Sequence, residues 1–310
     1  MAELQTASTG SSLSSRNLRV TFRLLANAFG PDGQDTVTLT GLRISAEITQ
    51  AQFPTGDIAL LRIEGLSPDL MNRLSLAAPD PSFQSASDVR LEASDGTDNW
   101  AVVFQGAVTL AYADYTNAPN VAFMVQAFST ALLNAMPATP TSFRSAVSLA
   151  TVLSTIAQKA GLTYAGYGVD AITLHNPYFD GSPGQQLAQC AETVPLRLAV
   201  GRGQITASTV NTQQQTQQPI VVSAQNGLIG YPSWSSGGLA LRMMFNPQVT
   251  FNTVIALQSR YQPAGWGTQS GPVPTGLWQT TQVRHMLQSE MADGAWFTNV
   301  IAQTMPDGSA

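Results

Sequence analysis

From Leu18 onward apolar and polar residues alternate: Leu18, Val20, Phe22 and Leu24 take one side, Arg19, Thr21 and Arg23 the other. Period-two alternation predicts a strand with one buried face, and it returns along most of the chain. In 36–49, Val37 and Leu39, then Leu42, Ile44, Ala46 and Ile48, take successive inward positions, with Gly41 marking a bulge or bend. Further strands are expected at 58–63, 89–93, 100–115 and 121–128. One short helix interrupts them: in LSPDLMNRLS, Ser67 can cap, Pro68 fits the first turn and Asp69 faces the positive helix end.

Near position 140 the period changes. TSFRSAVSLATVLSTIAQKAG sets Phe143, Val147, Leu149, Leu153 and Ile156 at helical spacing, and Gly161 ends that helix. A strand-like LTYAGY follows, and YFDGSPGQQLAQCAETV repeats the capping logic, with Ser182 and Pro183 ahead of Leu187, Cys190 and Val194 on one face. LRLAVGRGQITA predicts a hairpin around Gly201 to Gly203, and NTQQQTQQP a polar linker. Alternation resumes in GLIGYPSWSSGGLALRMMFNPQV, where Leu239, Leu241, Met243 and Phe245 oppose Ala240, Arg242 and Met244. Strands are expected at 249–259, 276–287 and 295–304, the last two joined by a loop carrying Asp293 and Gly294. The organisation expected is an arm over 1–17, a β region over 18–137, a small α+β module over 138–210, a linker over 211–218 and a second β region over 219–310. The fold class is mainly β with a small α+β module.

Composition narrows the function. The 310 residues suffice for two or three domains, yet only 11% are charged, against about 25% in an average soluble protein. Weak charge removes the repulsion that keeps monomers apart, which favours a subunit of a permanent assembly. Lys159 is the only lysine and the net charge is -5, so tight binding to phosphate backbones is not expected. Cys190 is the sole cysteine, which excludes intrachain disulfides and Cys-rich zinc sites. MAELQTASTGSSLSS has neither the apolar core nor the basic start of a signal peptide or membrane span, and is expected to be a flexible arm.

Candidate chemistry is sparse. His175 and His285 each lack a second ligand at helical spacing, and Cys190 falls on the buried face of its predicted helix. Glu290 and Asp293 share a loop with no apolar pocket around them to raise either pKa. The glycines of GRG and GSPG lack the strand, lysine and helix order of a phosphate loop. No catalytic, cofactor or metal site is therefore expected. Tyr231, Trp234, Tyr261, Trp266 and Trp278 gather in the last third, several in Gly- and Pro-rich loops, and are candidate interface contacts. Packing at strand ends accounts for them equally well.

Three stretches carry a family resemblance: AFSTALLNAMPATPTSFRSAVSLATVLSTIAQKAGLTY, NPYFDGSPGQQLAQCAETV, and the run from GLIGYPSWSSGGLALRMMFNPQV through VRHMLQSEMADGAWFTNVIAQT. In order, they resemble the baseplate hub proteins of contractile-tailed bacteriophages. Tyr178, Gly181, Pro183, Gln185, Gln186 and Leu187 match the family's short middle helix. Gly227, Leu228, Ile229, Gly230 and Pro232 match the opening of its last barrel, and Asn246 and Pro247 a strand end. Val283, His285, Gly294, Trp296 and Thr298 match its closing strand pair.

The resemblance implies two tail-tube-like β-barrels per chain and a homotrimer whose six barrels adapt a sixfold tail tube to a threefold spike. Expected partners are further copies of itself, the tail tube or tube-initiator protein, the central spike protein and other baseplate proteins. Genomic DNA would pass without specific binding, and no membrane span is involved. The implied place is the virion's tail baseplate, after assembly in the host cytoplasm. Rival readings are a tail-associated peptidoglycan hydrolase and a receptor- or carbohydrate-binding β protein. Secretion-machine spike proteins share the hub architecture but usually continue into a β-helical needle. Because this chain stops at Ala310, its spike is expected to be a separate polypeptide.

Overall fold

The computed structural model describes residues 16–24, 34–75, 87–96, 99–209, 218–259 and 276–304. Nearly all of the expected arm and linker lies outside the described residues. The alternation from Leu18 becomes β1 (Asn17–Leu24), whose Leu18, Val20 and Phe22 are fully buried. It is followed by β2 (Thr36–Leu39), β3 (Arg43–Gln50), β4 (Ile58–Glu64), α1 (Pro68–Leu74), β5 (Ser87–Ser94), β6 (Ala101–Asp114) and β7 (Ala122–Phe128). These strands pair antiparallel in the order β3-β4-β7-β6-β5-β1-β2. The run over 36–49 is two strands that do not pair with each other. Gly41, at φ 65, turns the chain so that β2 joins β1 while β3 joins β4. The Ser67 cap forms as expected, its Oγ accepting the Leu70 N–H at 3.3 Å.

The middle module comprises α2 (Ala131–Ala135), β8 (Thr141–Ser142), β9 (Ala146–Ser148), α3 (Leu149–Lys159), β10 (Thr163–Tyr167), β11 (Thr173–His175), β12 (Tyr178–Phe179), α4 (Pro183–Thr193), β13 (Leu196–Gly201) and β14 (Gln204–Thr209). Its long helix starts later than the spacing predicts. Phe143 and Val147 precede it, because β9 pairs with β11 and Ser148 then caps α3 by accepting the Thr151 N–H. Leu149, Val152, Leu153 and Ile156 of α3 and Leu187 and Cys190 of α4 pack on Leu198, Val200 and Ile205 of the β13–β14 hairpin. At α4 the cap is reciprocal: Ser182 Oγ accepts the Gln185 N–H and Gln185 Oε1 accepts the Ser182 N–H. Ser182→Ala should therefore cost about 1 kcal/mol, read as a lower urea midpoint at unchanged slope.

The last part contains β15 (Ile220–Ser223), β16 (Leu228–Ser235), β17 (Gly238–Met244), β18 (Val254–Gln258), β19 (Gly276–Gln288) and β20 (Trp296–Thr304). Leu239, Leu241 and Met243 point into its core, as alternation dictates. The strand expected over 249–259 shrinks to 254–258. Residues before it turn at Asn252, whose φ is 66.

The connectivity repeats. β3 to β7 run as a hairpin, β3–β4, then β5, β6 and β7, paired as β3-β4-β7-β6-β5. β16 to β20 run in the same chain order and pair as β16-β17-β20-β19-β18. Both long strands, β6 and β19, carry an irregularity at the same place, between Val108 and Leu110 and between Thr280 and Gln282. The two five-strand units are fused into one sheet, because the second half of β19 pairs with β3.

Candidate interface and junction site

The seam joining the units is built from Val283–Gln288 of β19 against Ser45–Gln50 of β3. Strand β19 can serve two neighbours on one edge because its first half, Gly276–Gln279, is taken by β18. The hand-over falls at Thr280, which is held on four sides. Its N–H donates to Thr253 O at 2.9 Å, its O accepts from Asn252 N at 2.9 Å, and its Oγ1 accepts from Thr253 N and donates to Thr250 O. On the buried side, Leu287 and Trp296 join the hydrophobic cluster of the first unit although they belong to the second. On the outer side, Arg284 pairs with Glu47 at 2.6 Å, and a groove of about 200 Å³ runs between Leu60, Arg62, Met124 and Met286.

Behind the seam lies a polar knot where three segments converge. Gln50 ends β3, Asp57 sits in the loop before β4, and Arg202 occupies the tip of the β13–β14 hairpin. The tip needs a left-handed backbone at Arg202 and Gly203, φ 53 and 75, and Gly201 is a glycine because a Cβ there would overlap the Asp57 carboxylate. Arg202 Nη1 donates to Pro247 O at 2.8 Å, while its Nε and Nη2, Gln50 Oε1 and His285 Nε2 find no hydrogen-bond partner among the described residues. A cavity of about 150 Å³ opens beside Gln50, Asp57, Arg202 and Thr250, polar enough and large enough for a few ordered waters.

Burial sets the charge states. Desolvation lifts the Asp57 carboxyl to about 7, the Arg202 guanidinium opposing that rise. His285 is wholly buried, its Nδ1 sharing a hydrogen bond with Thr298 Oγ1 at 2.9 Å and its ring edge-on to Phe245. Desolvation, helped by the charge of Arg202, drives it down to about 3, so the imidazole is neutral. The module is also tied to the second unit: Arg197 donates to Asn252 and Gln279, and Asn252 donates to Ser208 at 3.1 Å. This constellation brings three segments together.

The residues singled out in the sequence are scattered. Trp234 is 43% exposed at the end of β16, its ring 5.8 Å from that of Trp278, which is buried. Tyr231 is exposed on the same strand, and Tyr261 and Trp266 lie outside the described residues. Cys190 is inside the module core, burial pushing its thiol up to about 12. His175 is exposed at the end of β11, and Glu290 and Asp293 are exposed loop residues. Among the described residues no group of three or more His, Cys, Asp or Glu is placed to hold a metal ion, and no helix is long and apolar enough to cross a membrane. Sequence reasoning missed Gln50, Asp57 and Arg202. The available signal was an arginine flanked by glycines at a predicted hairpin tip, in a chain with few charges to spare.

Solved structures share the fold. A 43 kDa tail protein of prophage MuSo2 from Shewanella oneidensis superposes with a TM-score of 0.53 at 8% identity, covering 92% of this chain and 96% of that one. A tail protein from Neisseria meningitidis MC58 gives 0.53 at 10% identity over 92% and 96%. The E. coli c3393 protein, described as a type VI secretion component with structural similarity to the T4 tail proteins gp27 and gp5, gives 0.52 at 10% identity over 86% and 74%. No curated protein sequence matches the chain. The family model for the baseplate hub gp41 matches residues 17–268, from β1 through β18. With most of its length matched, this chain belongs to the baseplate hub gp41 family and is a structural protein of the phage tail baseplate.

Proposed function

We propose that the protein is a homotrimeric ring in which each chain supplies two tube-like units, so that three copies present six to the tail tube above and threefold symmetry to the spike below. The observation carrying this reading is the repeat: β3–β7 and β16–β20 share chain order, pairing order and the position of the irregularity in their long strand. A chain that already fuses two like units edge to edge needs only the same step between copies to close a ring. Low overall charge suits the permanent contacts such a ring requires.

The exposed side of the fused sheet is the surface we assign to the channel. Its cations are tied down: Arg284 to Glu47, Arg43 and Arg62 to Glu64, and Arg242 to Asn299 while stacking 4.4 Å over the Phe297 ring. Internal partners leave these guanidiniums fewer free donors for DNA phosphates, and with a net charge of -5 on the chain the surface is read as one for passage rather than tight binding.

Light scattering tests the reading. Purified protein, alone or mixed with the tube and spike proteins of the same phage, should give a hub particle of three times 32.8 kDa. A hub copy number that is not a multiple of three would overturn it.

A further inference from the structure

We infer that neighbouring copies join by strand pairing between the Ser233–Ser235 end of β16 in one copy and the Tyr112–Asp114 end of β6 in the next, reproducing between chains the seam that β3 and β19 make within one. The inference rests on the ring reading above and specifies its contact. It follows from the registers. The irregularity in each long strand aligns Val108 with Thr280, so Tyr112, Ala113 and Asp114 of β6 correspond to Arg284, His285 and Met286 of β19. Following the ladder across, Val108 faces Ala127, which faces Ala59, which faces Ile48. In the second unit Thr280 faces Ala302, which faces Leu239, which faces Trp234. Trp234 is therefore the counterpart of Ile48.

Within the chain, β3 covers the second half of β19, burying both Ile48 and His285 completely. Their counterparts lack that cover. Strand β5 pairs with β6 only up to Ala107, so among the described residues the second half of β6 is paired on one edge alone, by β7. Likewise β16, at the end of the sheet, is paired only by β17 among the described residues, and Trp234 stays 43% exposed. Open strand edges of this kind invite a further strand. One edge matches the acceptor half of an existing seam and the other its donor half, so the contact is head-to-tail, and repetition of one rotation closes a ring. The occupant is thus a second copy of this chain. The seam pair Arg284 and Thr49 translates to Tyr112 and Ser235, His285 and Ile48 to Ala113 and Trp234, and Met286 and Glu47 to Asp114 and Ser233.

Engineered disulfides test the register in the full chain. Cross-strand partners lie within the Cα spacing that a disulfide spans, and buried Cys190 does not compete. The double variant Tyr112→Cys with Ser235→Cys, oxidised at ring-forming concentration, should run on non-reducing gels as covalent dimer and trimer, while each single variant stays at monomer mass. Arg284→Cys with Thr49→Cys, across the existing seam, should close within one chain without gain of mass. If the double variant fails to fold by circular dichroism, Asp114→Cys with Ser233→Cys addresses the same register. A particle that is trimeric by light scattering, with the seam control closed and no bond between copies from either pair, overturns this contact and leaves the ring standing. A chain that stays monomeric alone and with its tube and spike proteins overturns both.

Discussion

Replacing Trp296 with alanine should destabilise the isolated chain by about 3–5 kcal/mol, the usual cost of emptying a buried tryptophan site, and lower its melting temperature by roughly 10 °C for a protein of this size. Trp296 starts β20, in the second unit, yet its side chain belongs to the first unit's core and packs edge-on to Phe245 at 5.4 Å, which in turn meets His285. The loss should therefore reach both units, and scanning calorimetry is the measurement. Trp234→Ala provides the contrast. Its ring is 43% exposed in the single chain, so the monomer should lose about 1 kcal/mol or less, while assembly weakens strongly. Equal monomer losses for the two variants would contradict the assignment of Trp296 to the shared core.

The polar knot should give two variants with opposite pH dependence. Asp57 holds its proton in the fold up to about 7, whereas an unfolded carboxyl releases it near 4. Its contribution is fully present below about 4 and is lost as pH rises through about 7, at up to roughly 1.4 kcal/mol per pH unit. His285 runs the other way. It stays neutral in the fold down to about 3 but takes up a proton near 6.5 when unfolded, so its contribution is present above about 6.5 and lost as pH falls. Between about 4 and 6.5 these two slopes oppose each other in the native protein, and Asp88, whose carboxyl burial lifts to about 6, adds to the carboxyl side over the lower part of that window. Asp57→Asn removes one carboxyl slope, and its stability should rise with pH relative to the native profile across that window. His285→Gln exposes the carboxyl slope, and its stability should fall. Urea unfolding of the three proteins at pH 4.5, 5.5 and 6.5 measures this, and parallel profiles would sink the assignment.

Much of the local structure was legible because period-two alternation, caps and glycine turns act over a few residues. Ser67 and Ser182 cap their helices, Gly161 at φ 70 ends α3, and the strands of 58–63 and 121–128 fall where expected. The helix over-extended to Phe143 failed for a non-local reason, since residues 146–148 are claimed by pairing with β11. The single run over 36–49 failed likewise, because only tertiary pairing sends β2 and β3 to different neighbours. At the site, the alternation in 239–245 matches the buried Leu239, Leu241 and Met243 of β17, whereas Phe245 lies past the end of that strand, half-buried against the first unit's core; Trp278, expected equally as an interface contact or as packing, lies buried beside Trp234. Gln50 and Asp57 flank the β3–β4 connection, but Arg202 is far from both in sequence, and no spacing rule joins it to them.

Side-chain chemistry within a turn or two of chain dictates the alternating strands, the Ser67 and Ser182 caps, the stop at Gly161 and the scarcity of surface charge. The change of partner by β19 at Thr280, which fuses two like units through β3, arises from long-range packing alone. Backbone hydrogen bonds between strands carry no residue code, so pairing across more than two hundred positions is selected by which faces must be buried together, and that is a property of the whole fold.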